Sequence, residues 1–217
     1  MEQNNIIKNP LSCVGYSQPP GEPLVFNSVS KFLNGQLNTS EFVYRLNLSP
    51  IDERLNDQGT QLLDISNSSK KYSIYPADTV IKPEWLNWYG INWTDITRFY
   101  KDNFTGRIHD DGNCNKWGIN WVVNGYATVS FWNLSKIDTV ITVNDEQNCP
   151  INVYRTSHPP CKHYMMPPGA YLFNAGLPHL PSGFNKRLVL SLRAKNMPWS
   201  QVVNHFSDLI ISYTICH

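Results

Sequence analysis

This sequence has no long apolar run, no clustered cysteines and almost no net charge. No run approaches the roughly 18 apolar residues that a membrane span needs, and residues 1–10 contain neither the basic nor the apolar region of an export signal. Eighteen Lys and Arg face seventeen Asp and Glu, so the formal charge of +1 gives no broad basic field for nucleic acid. We therefore expect a soluble, cytoplasmic protein with neither a membrane nor a nucleic acid as partner.

The five cysteines are widely scattered and never form a C-x-x-C pair. This spacing argues against a disulfide framework or a structural zinc site. The segment His158-Pro-Pro-Cys161-Lys-His163 holds three metal-ligating residue types. Its two prolines keep the chain extended, so we predict a loop entering a strand there rather than a metal site.

The second half of the chain has the composition and spacing typical of a β-protein. Seven short runs rich in β-branched and aromatic residues are separated by Asn, Asp, Gly and Pro, at residues 117–123, 126–132, 139–143, 151–154, 161–166, 170–173 and 187–193. This spacing, with a hairpin signal at Asn124-Gly125, predicts an antiparallel sandwich or barrel. The length of 217 residues suits a single domain.

Around this predicted core we expect flanking helices. Residues 1–71 are assigned to an N-terminal extension with the first strands, including one at 41–48, and residues 72–193 to the β-core. Apolar residues in 82–100 recur at spacings of three, four and seven, which predicts one or two helices. An apolar stripe in 198–211 predicts a C-terminal helix, assigned to residues 198–213.

A possible metal site begins with the segment Gly106-Arg-Ile-His109-Asp110-Asp111-Gly112. In an extended chain, His109 and Asp111 face the same side because side chains alternate. The second imidazole has five candidates: His158, His163, His179, His205 and His217. Two histidines and one carboxylate leave three octahedral positions open, an arrangement that suits non-haem Fe(II). Asp110 and Trp117 are candidate substrate contacts on the rim, although a solvated loop Asp and a core Trp are the commoner roles.

The run at residues 187–193 alternates strictly. Arg187, Ser191 and Arg193 face one way, and three leucines face the other. The polar face could point to water, most simply for Arg193. Alternatively, the leucines pack outward under helices and Arg187 points into a barrel, where a guanidinium needs an anionic partner such as a dicarboxylate cosubstrate.

Residues 72–193 resemble the Fe(II)- and 2-oxoglutarate-dependent oxygenases, nearest to the aspartyl/asparaginyl β-hydroxylase type. The likeness is carried by three segments: Arg107-Ile-His109-Asp-Asp111-Gly112, Trp117-Gly-Ile-Asn120-Trp121, and Asn174 to His179 running into Lys186-Arg187-Leu-Val-Leu-Ser191. The resemblance implies a mainly β, double-stranded β-helix fold (a jelly roll, cupin-like) with N- and C-terminal helices.

The resemblance also implies site residues. His109, Asp111 and His179 would be iron ligands, and Arg187 would bind the 5-carboxylate of 2-oxoglutarate. Asn120 would touch the 1-carboxylate. Ser191 is a further candidate contact, although it stands four residues after Arg187 whereas the R-x-S pair of other members of the class would need it two residues after.

The implied activity is hydroxylation of an unactivated C–H bond with Fe(II) as cofactor and 2-oxoglutarate and O2 as cosubstrates. A protein or peptide side chain, in an Asp/Asn-type β-hydroxylation, is the favoured substrate, and a free amino acid or small metabolite is the next choice. Two other classes remain open: a non-enzymatic cupin-like protein that binds a sugar or another small molecule, and a metal-free structural β-sandwich. The sequence carries no signal for an oligomeric state.

Overall fold

The computed structural model describes residues 42–64, 72–91, 93, 95–100, 104–112, 117–144, 148, 150–194 and 197–211. Within these ranges, no helix is long and apolar enough to cross a membrane. Of the N-terminal extension assigned to 1–71, residues 1–41 and 65–71 lie outside the described residues.

Strands dominate the described residues. In chain order they are β1 (Val43–Leu46), β2 (Tyr72–Pro76), β3 (Asp95–Tyr100), β4 (Phe104–Thr105), β5 (His109–Asp110), β6 (Trp117–Phe131), β7 (Thr139–Asn144), β8 (Pro150–Arg155), β9 (Lys162–Met166), β10 (Gly169–Asn174), β11 (His179–Ala194) and β12 (Ile210–Ile211). The helices are α1 (Asp57–Asp64), α2 (Ala77–Val80) and α3 (Trp199–His205), with short 3-10 turns at Ile51–Arg54, Pro83–Trp85, Trp88–Gly90 and Leu134–Lys136.

The two long strands, β6 and β11, each run through both layers of the fold. The first half of β6 lies between β10 and the second half of β11, which also pairs with β3. The second half of β6 lies between β9 and the first half of β11, which also pairs with β4 and β5. All these pairs are antiparallel. When the halves of β6 and β11 are counted separately, this pairing is the double-stranded β-helix, or cupin-like jelly roll, and the predicted fold class is confirmed.

Further strands extend the two layers. β1 pairs with the outer edge of β10 and β12 pairs with β1, while β2 pairs with β3. On the other layer, β8 pairs with β5, and β7 forms a hairpin with β8. The second layer is therefore continued by a β7–β8 hairpin beside the strand that carries His109.

The Asn124-Gly125 signal does not make a hairpin. β6 continues through it, and Gly125 has a φ of +66° at the place where the strand passes from one layer to the other. Glycine adopts this conformation without steric penalty, so the strand can bend between the layers. The two predicted strands at 117–123 and 126–132 are one bent strand.

The prediction of one or two helices at 82–100 is wrong. Among its described residues, only single 3-10 turns occur, at Pro83–Trp85 and Trp88–Gly90, and the segment ends in strand β3. Two of its aromatic side chains, Trp88 and Tyr89, pack on Phe206 at the end of α3. The ring of Tyr89 stacks on Phe206 at a centroid distance of 5.1 Å. Tertiary packing, rather than helical periodicity, explains the pattern.

The alternating side chains of β11 separate two cores. Leu188, Leu190 and Leu192 belong to an outer core, where the first layer packs against helical residues such as Val202. Val189 belongs to an inner core between the layers. The leucines therefore pack outward under helices, as the second interpretation of the 187–193 run expected. The predicted C-terminal helix is shorter than expected, because α3 ends at His205 and strand β12 follows.

Candidate metal centre

Three side chains with metal-ligating atoms meet at one end of the roll. β5 pairs with β11 at His109 and His179, which brings these distant positions together, and Asp111 follows β5. The ligand atoms of the three residues all lie within 4.8 Å of one another. The two imidazole centroids are 4.5 Å apart, and Oδ1 of Asp111 lies 3.5 Å from Nε2 of His109. Among the described residues, no other group of three His, Cys, Asp or Glu side chains is so arranged.

Both imidazoles are oriented by the backbone. Nδ1 of His109 lies 2.7 Å from the carbonyl oxygen of Arg107, and Nδ1 of His179 lies 2.8 Å from that of Leu177. A carbonyl can only accept, so each Nδ1 carries a proton and Nε2 is the nitrogen left to bind a metal ion. This contact is the usual one that fixes the tautomer of a metal-ligating histidine.

His179 is buried against aromatic side chains. Its ring centroid lies 5.0 Å from that of Phe173 and 5.9 Å from that of Phe131. Burial is the largest cause that holds the pKa of His179 well below its usual value, and the neighbouring His109 lowers it further. The imidazole is therefore neutral at pH 7, which is the form that binds a metal ion.

Asp110, between the two ligands in sequence, does not lie on the rim. It is 7% exposed and accepts hydrogen bonds from the Tyr154 hydroxyl, from Nδ2 of Asn152 and from the backbone N–H of Gly112. Burial, followed by the contact with Asp110, raises the pKa of Tyr154. Asp110 thus anchors the turn after β5 to strand β8. Trp117 is 1% exposed in the outer core, so its alternative role as a core residue is confirmed.

The turn itself requires a glycine. Gly112 has a φ of +62°, and a Cβ there would lie 1.9 Å from the carbonyl oxygen of Pro150. Any other residue would push the turn away from β8, and Asp111 with it.

The three predicted cosubstrate residues are buried on the inner side of the first layer. Asn120 and Ser191 are paired across β6 and β11, and the Ser191 hydroxyl donates to Oδ1 of Asn120. Arg187, 3% exposed, donates from Nη1 to the carbonyl oxygen of Ser182 at 2.7 Å and lies against Gly183. Burial lowers its pKa to about 10, so the guanidinium stays charged at pH 7.

The sequence argument missed Arg193. It is 7% exposed rather than facing water, and Nη2 lies 3.4 Å from Oδ2 of Asp111. Its guanidinium also lies 5.9 Å from the ring centroid of Phe173. The signal was present, because the alternation that turns Ser191 inward turns Arg193 inward too.

The other histidine candidates do not join the centre. His158 is exposed and His163 contacts Ser130 on an exposed face of the roll, while Cys161 is exposed at the entry to β9. Nε2 of His205 lies 2.8 Å from the carbonyl oxygen of Tyr89. The loop prediction for 158–163 is confirmed. His217 lies outside the described residues.

The chain matches no protein-family profile and no curated protein. Among solved structures, it is similar to a hydroquinone 1,2-dioxygenase from Sphingomonas sp. TTNP3 with 4-hydroxybenzoate bound, at 11% identity over 49% of this chain and 65% of that chain, with a TM-score of 0.32. It is also similar to the hydroquinone 1,2-dioxygenase PnpCD in complex with Cd2+ and 4-hydroxybenzonitrile, at 12% identity over 85% of this chain and 98% of that chain, with a TM-score of 0.39. An 11S allergen from Cocos nucifera L. shares 12% identity over 61% of this chain and 33% of that chain, with a TM-score of 0.32.

These similarities concern the fold alone. The aligned part spans just under two thirds of the first dioxygenase chain and a third of the allergen chain. The function has to be argued from the side chains at the centre.

Proposed function

We propose that this protein is an Fe(II)- and 2-oxoglutarate-dependent dioxygenase that hydroxylates an unactivated C–H bond. The observation that carries the proposal is the convergence of His109, Asp111 and His179 at the end of the roll. Two imidazoles and one carboxylate on one side of an ion leave the remaining octahedral positions open, as Fe(II) oxygenases need. The residues fit the metal, because each offers one ligand atom and these atoms all lie within 4.8 Å of one another.

A second feature supports the binding of 2-oxoglutarate in addition to the metal. Arg187 is a buried, charged guanidinium on the inner side of the roll, anchored at Ser182, three residues beyond His179 in β11. The planar fork of a guanidinium matches the two oxygens of a carboxylate. Arg187 would bind the 5-carboxylate, and the Asn120–Ser191 pair would lie beside the metal-proximal end of the cosubstrate.

Each residue at the metal centre then has a role. His109, Asp111 and His179 would hold Fe(II), which activates O2 with the electrons of 2-oxoglutarate when bound. The backbone carbonyls at Nδ1 hold the imidazoles in the ligating tautomer. Phe131 and Phe173 form an apolar wall next to His179 and exclude water from that side.

The test compares two histidine variants. His179→Ala should abolish the visible charge-transfer absorption that a 2-oxo acid gives when it chelates Fe(II) under anaerobic conditions, and it should abolish succinate formation in air. His163→Ala is the matched control, because His163 is exposed and outside the centre; it should behave as wild type. If wild type gives neither the absorption nor succinate with Fe(II) and 2-oxoglutarate, the proposal is wrong.

The same variants separate the proposal from a cupin-like binding protein. A sugar- or metabolite-binding module should keep its ligand in His179→Ala, whereas the oxygenase loses its cosubstrate complex. We propose a protein or peptide side chain as substrate, with a free amino acid or small metabolite as the second choice.

A further inference from the structure

The two oxygens of the Asp111 carboxylate face different partners. Oδ1 lies 3.5 Å from Nε2 of His109, within the cluster of candidate ligand atoms. Oδ2 lies 3.4 Å from Nη2 of Arg193. The backbone N–H of Asp111 donates to the carbonyl oxygen of Ala175 at 2.9 Å, which fixes the residue to the end of β10. The carboxylate is therefore turned so that one oxygen faces the metal centre and the other faces a guanidinium.

The side chain of Arg193 reaches Asp111 along a path that the register of three strands defines. Arg193 of β11 lies opposite Gly118 of β6, and Gly118 lies opposite Phe173 of β10. A Cβ at Gly118 would lie 2.8 Å from Nη1 and 2.9 Å from Cδ of Arg193, so the arginine crosses β6 over this glycine. Its guanidinium then lies 5.9 Å from the ring centroid of Phe173. This direction leads to the end of β10, where Asp111 is held.

This packing immobilises the guanidinium beside the carboxylate. The side chain of Arg193 is 8% exposed and that of Asp111 is 20% exposed. An arginine stays charged and presents its N–H donors in a rigid plane. A charge-assisted contact with one oxygen therefore opposes rotation of the carboxylate.

The orientation of Asp111 decides how many positions remain open on the ion. Carboxylates bind metal ions through one oxygen or through both. An aspartate that used both oxygens would fill two octahedral positions and, with two imidazoles, would leave two open instead of three. A chelating 2-oxo acid takes two positions, and O2 needs the third.

We propose that Arg193 is a positioning residue: it holds Oδ2 of Asp111, so that the carboxylate ligates through Oδ1 alone. The proposal rests on the metal centre of the proposed function and adds the residue that keeps the third position open. Metal affinity by itself does not test this role, because removal of a positive charge near the ion favours binding whatever the carboxylate does. The number of water ligands on the ion does test it.

The test counts the waters on protein-bound Mn(II) from the broadening of its EPR lines in water enriched in oxygen-17. Wild type should have three waters. Arg193→Met, which keeps most of the bulk but removes the donors, should have two. Arg193→Lys keeps a positive charge for this single contact and should restore three, and Arg155→Met, at an exposed position, should match wild type. If Arg193→Met does not fold, as its melting temperature will show, Arg193→Gln takes its place because its side chain is too short to reach Oδ2.

A double-variant comparison shows whether the effect passes through the carboxylate. Asp111→Ala should have four waters, and the addition of Arg193→Met should leave that count unchanged. Three waters in Arg193→Met, two in Arg193→Lys, or a changed count in the double variant would overturn the role of Arg193.

The 2-oxoglutarate analogue N-oxalylglycine separates this inference from the proposed function. It should displace two waters, leaving one in wild type and none in Arg193→Met. If it displaces no water from wild type while the difference between three and two waters persists, the proposed function is wrong and the role of Arg193 stands. A wild-type protein that binds no Mn(II) would overturn both.

Discussion

Gly183 offers a selective way to remove the Arg187 contact without touching the arginine. A Cβ at position 183 would lie 2.2 Å from Cδ, 2.5 Å from Nε and 3.0 Å from Cζ of Arg187. These atoms belong to a flexible side chain, so in Gly183→Ala the arginine moves and the strand stays. If Arg187 binds the 5-carboxylate, the variant loses a charge-assisted contact worth about 1.5–3 kcal/mol. The dissociation constant of the cosubstrate should rise about ten- to a hundredfold.

The assay is a calorimetric titration of Mn(II)-loaded protein with N-oxalylglycine. Ser182→Ala is the matched control on the neighbouring residue: it removes the hydroxyl contact with Thr128 but keeps the carbonyl that accepts from Arg187. The control should lose about 1 kcal/mol of stability and keep its affinity for N-oxalylglycine. Wild-type affinity in Gly183→Ala, with Arg187→Gln equally unaffected, would refute the assignment of Arg187.

Three further predictions follow from the same centre. In metal-free protein, the pKa of His179 is lowered, so below about pH 6.5 this imidazole binds a proton in the unfolded chain but stays neutral in the folded chain. The free energy of unfolding should therefore decrease as the pH is lowered below that point, by at most about 1.4 kcal/mol per pH unit, until the folded pKa is reached. In urea melts at several pH values, this free energy should depend less on pH in His179→Gln than in wild type. An equal pH dependence contradicts the burial argument. Asp110→Ala leaves the Tyr154 and Asn152 donors unsatisfied, so we expect a loss of about 2 kcal/mol in urea melts and weaker Mn(II) binding, whereas unchanged values would show that the turn does not depend on Asp110. Mn(II) with N-oxalylglycine at a hundred times its dissociation constant should stabilise wild type by about 2.7 kcal/mol in thermal melts, and EDTA should reverse the effect. The same additions should not stabilise His109→Ala. No stabilisation of wild type would argue for a metal-free sandwich.

The sequence could predict the elements whose pattern is local. In an extended chain the side chains alternate, so the H-x-D spacing put His109 and Asp111 on one side and the 187–193 run put leucines opposite arginines. These inferences required no knowledge of the neighbouring strands. The choice of His179 over four other histidines came only from the family resemblance, because the pairing of β5 with β11 joins positions that no local pattern relates.

Tertiary packing overruled the local pattern elsewhere. The aromatic spacing at 82–100 is that of a helix, but Trp88 and Tyr89 pack on Phe206 and the segment ends in strand β3. The sequence alone suggests that Asp110 is a solvated turn residue, whereas in the structure β8 buries it.

The sequence by itself determined which side chains share a face, because that depends only on the two-residue repeat of a strand. It did not determine which face is covered, because burial comes from strands and helices distant in the chain. Only the closed roll decided that the face with Arg187, Ser191 and Arg193 is the inner one, and that Arg193 meets Asp111 instead of water.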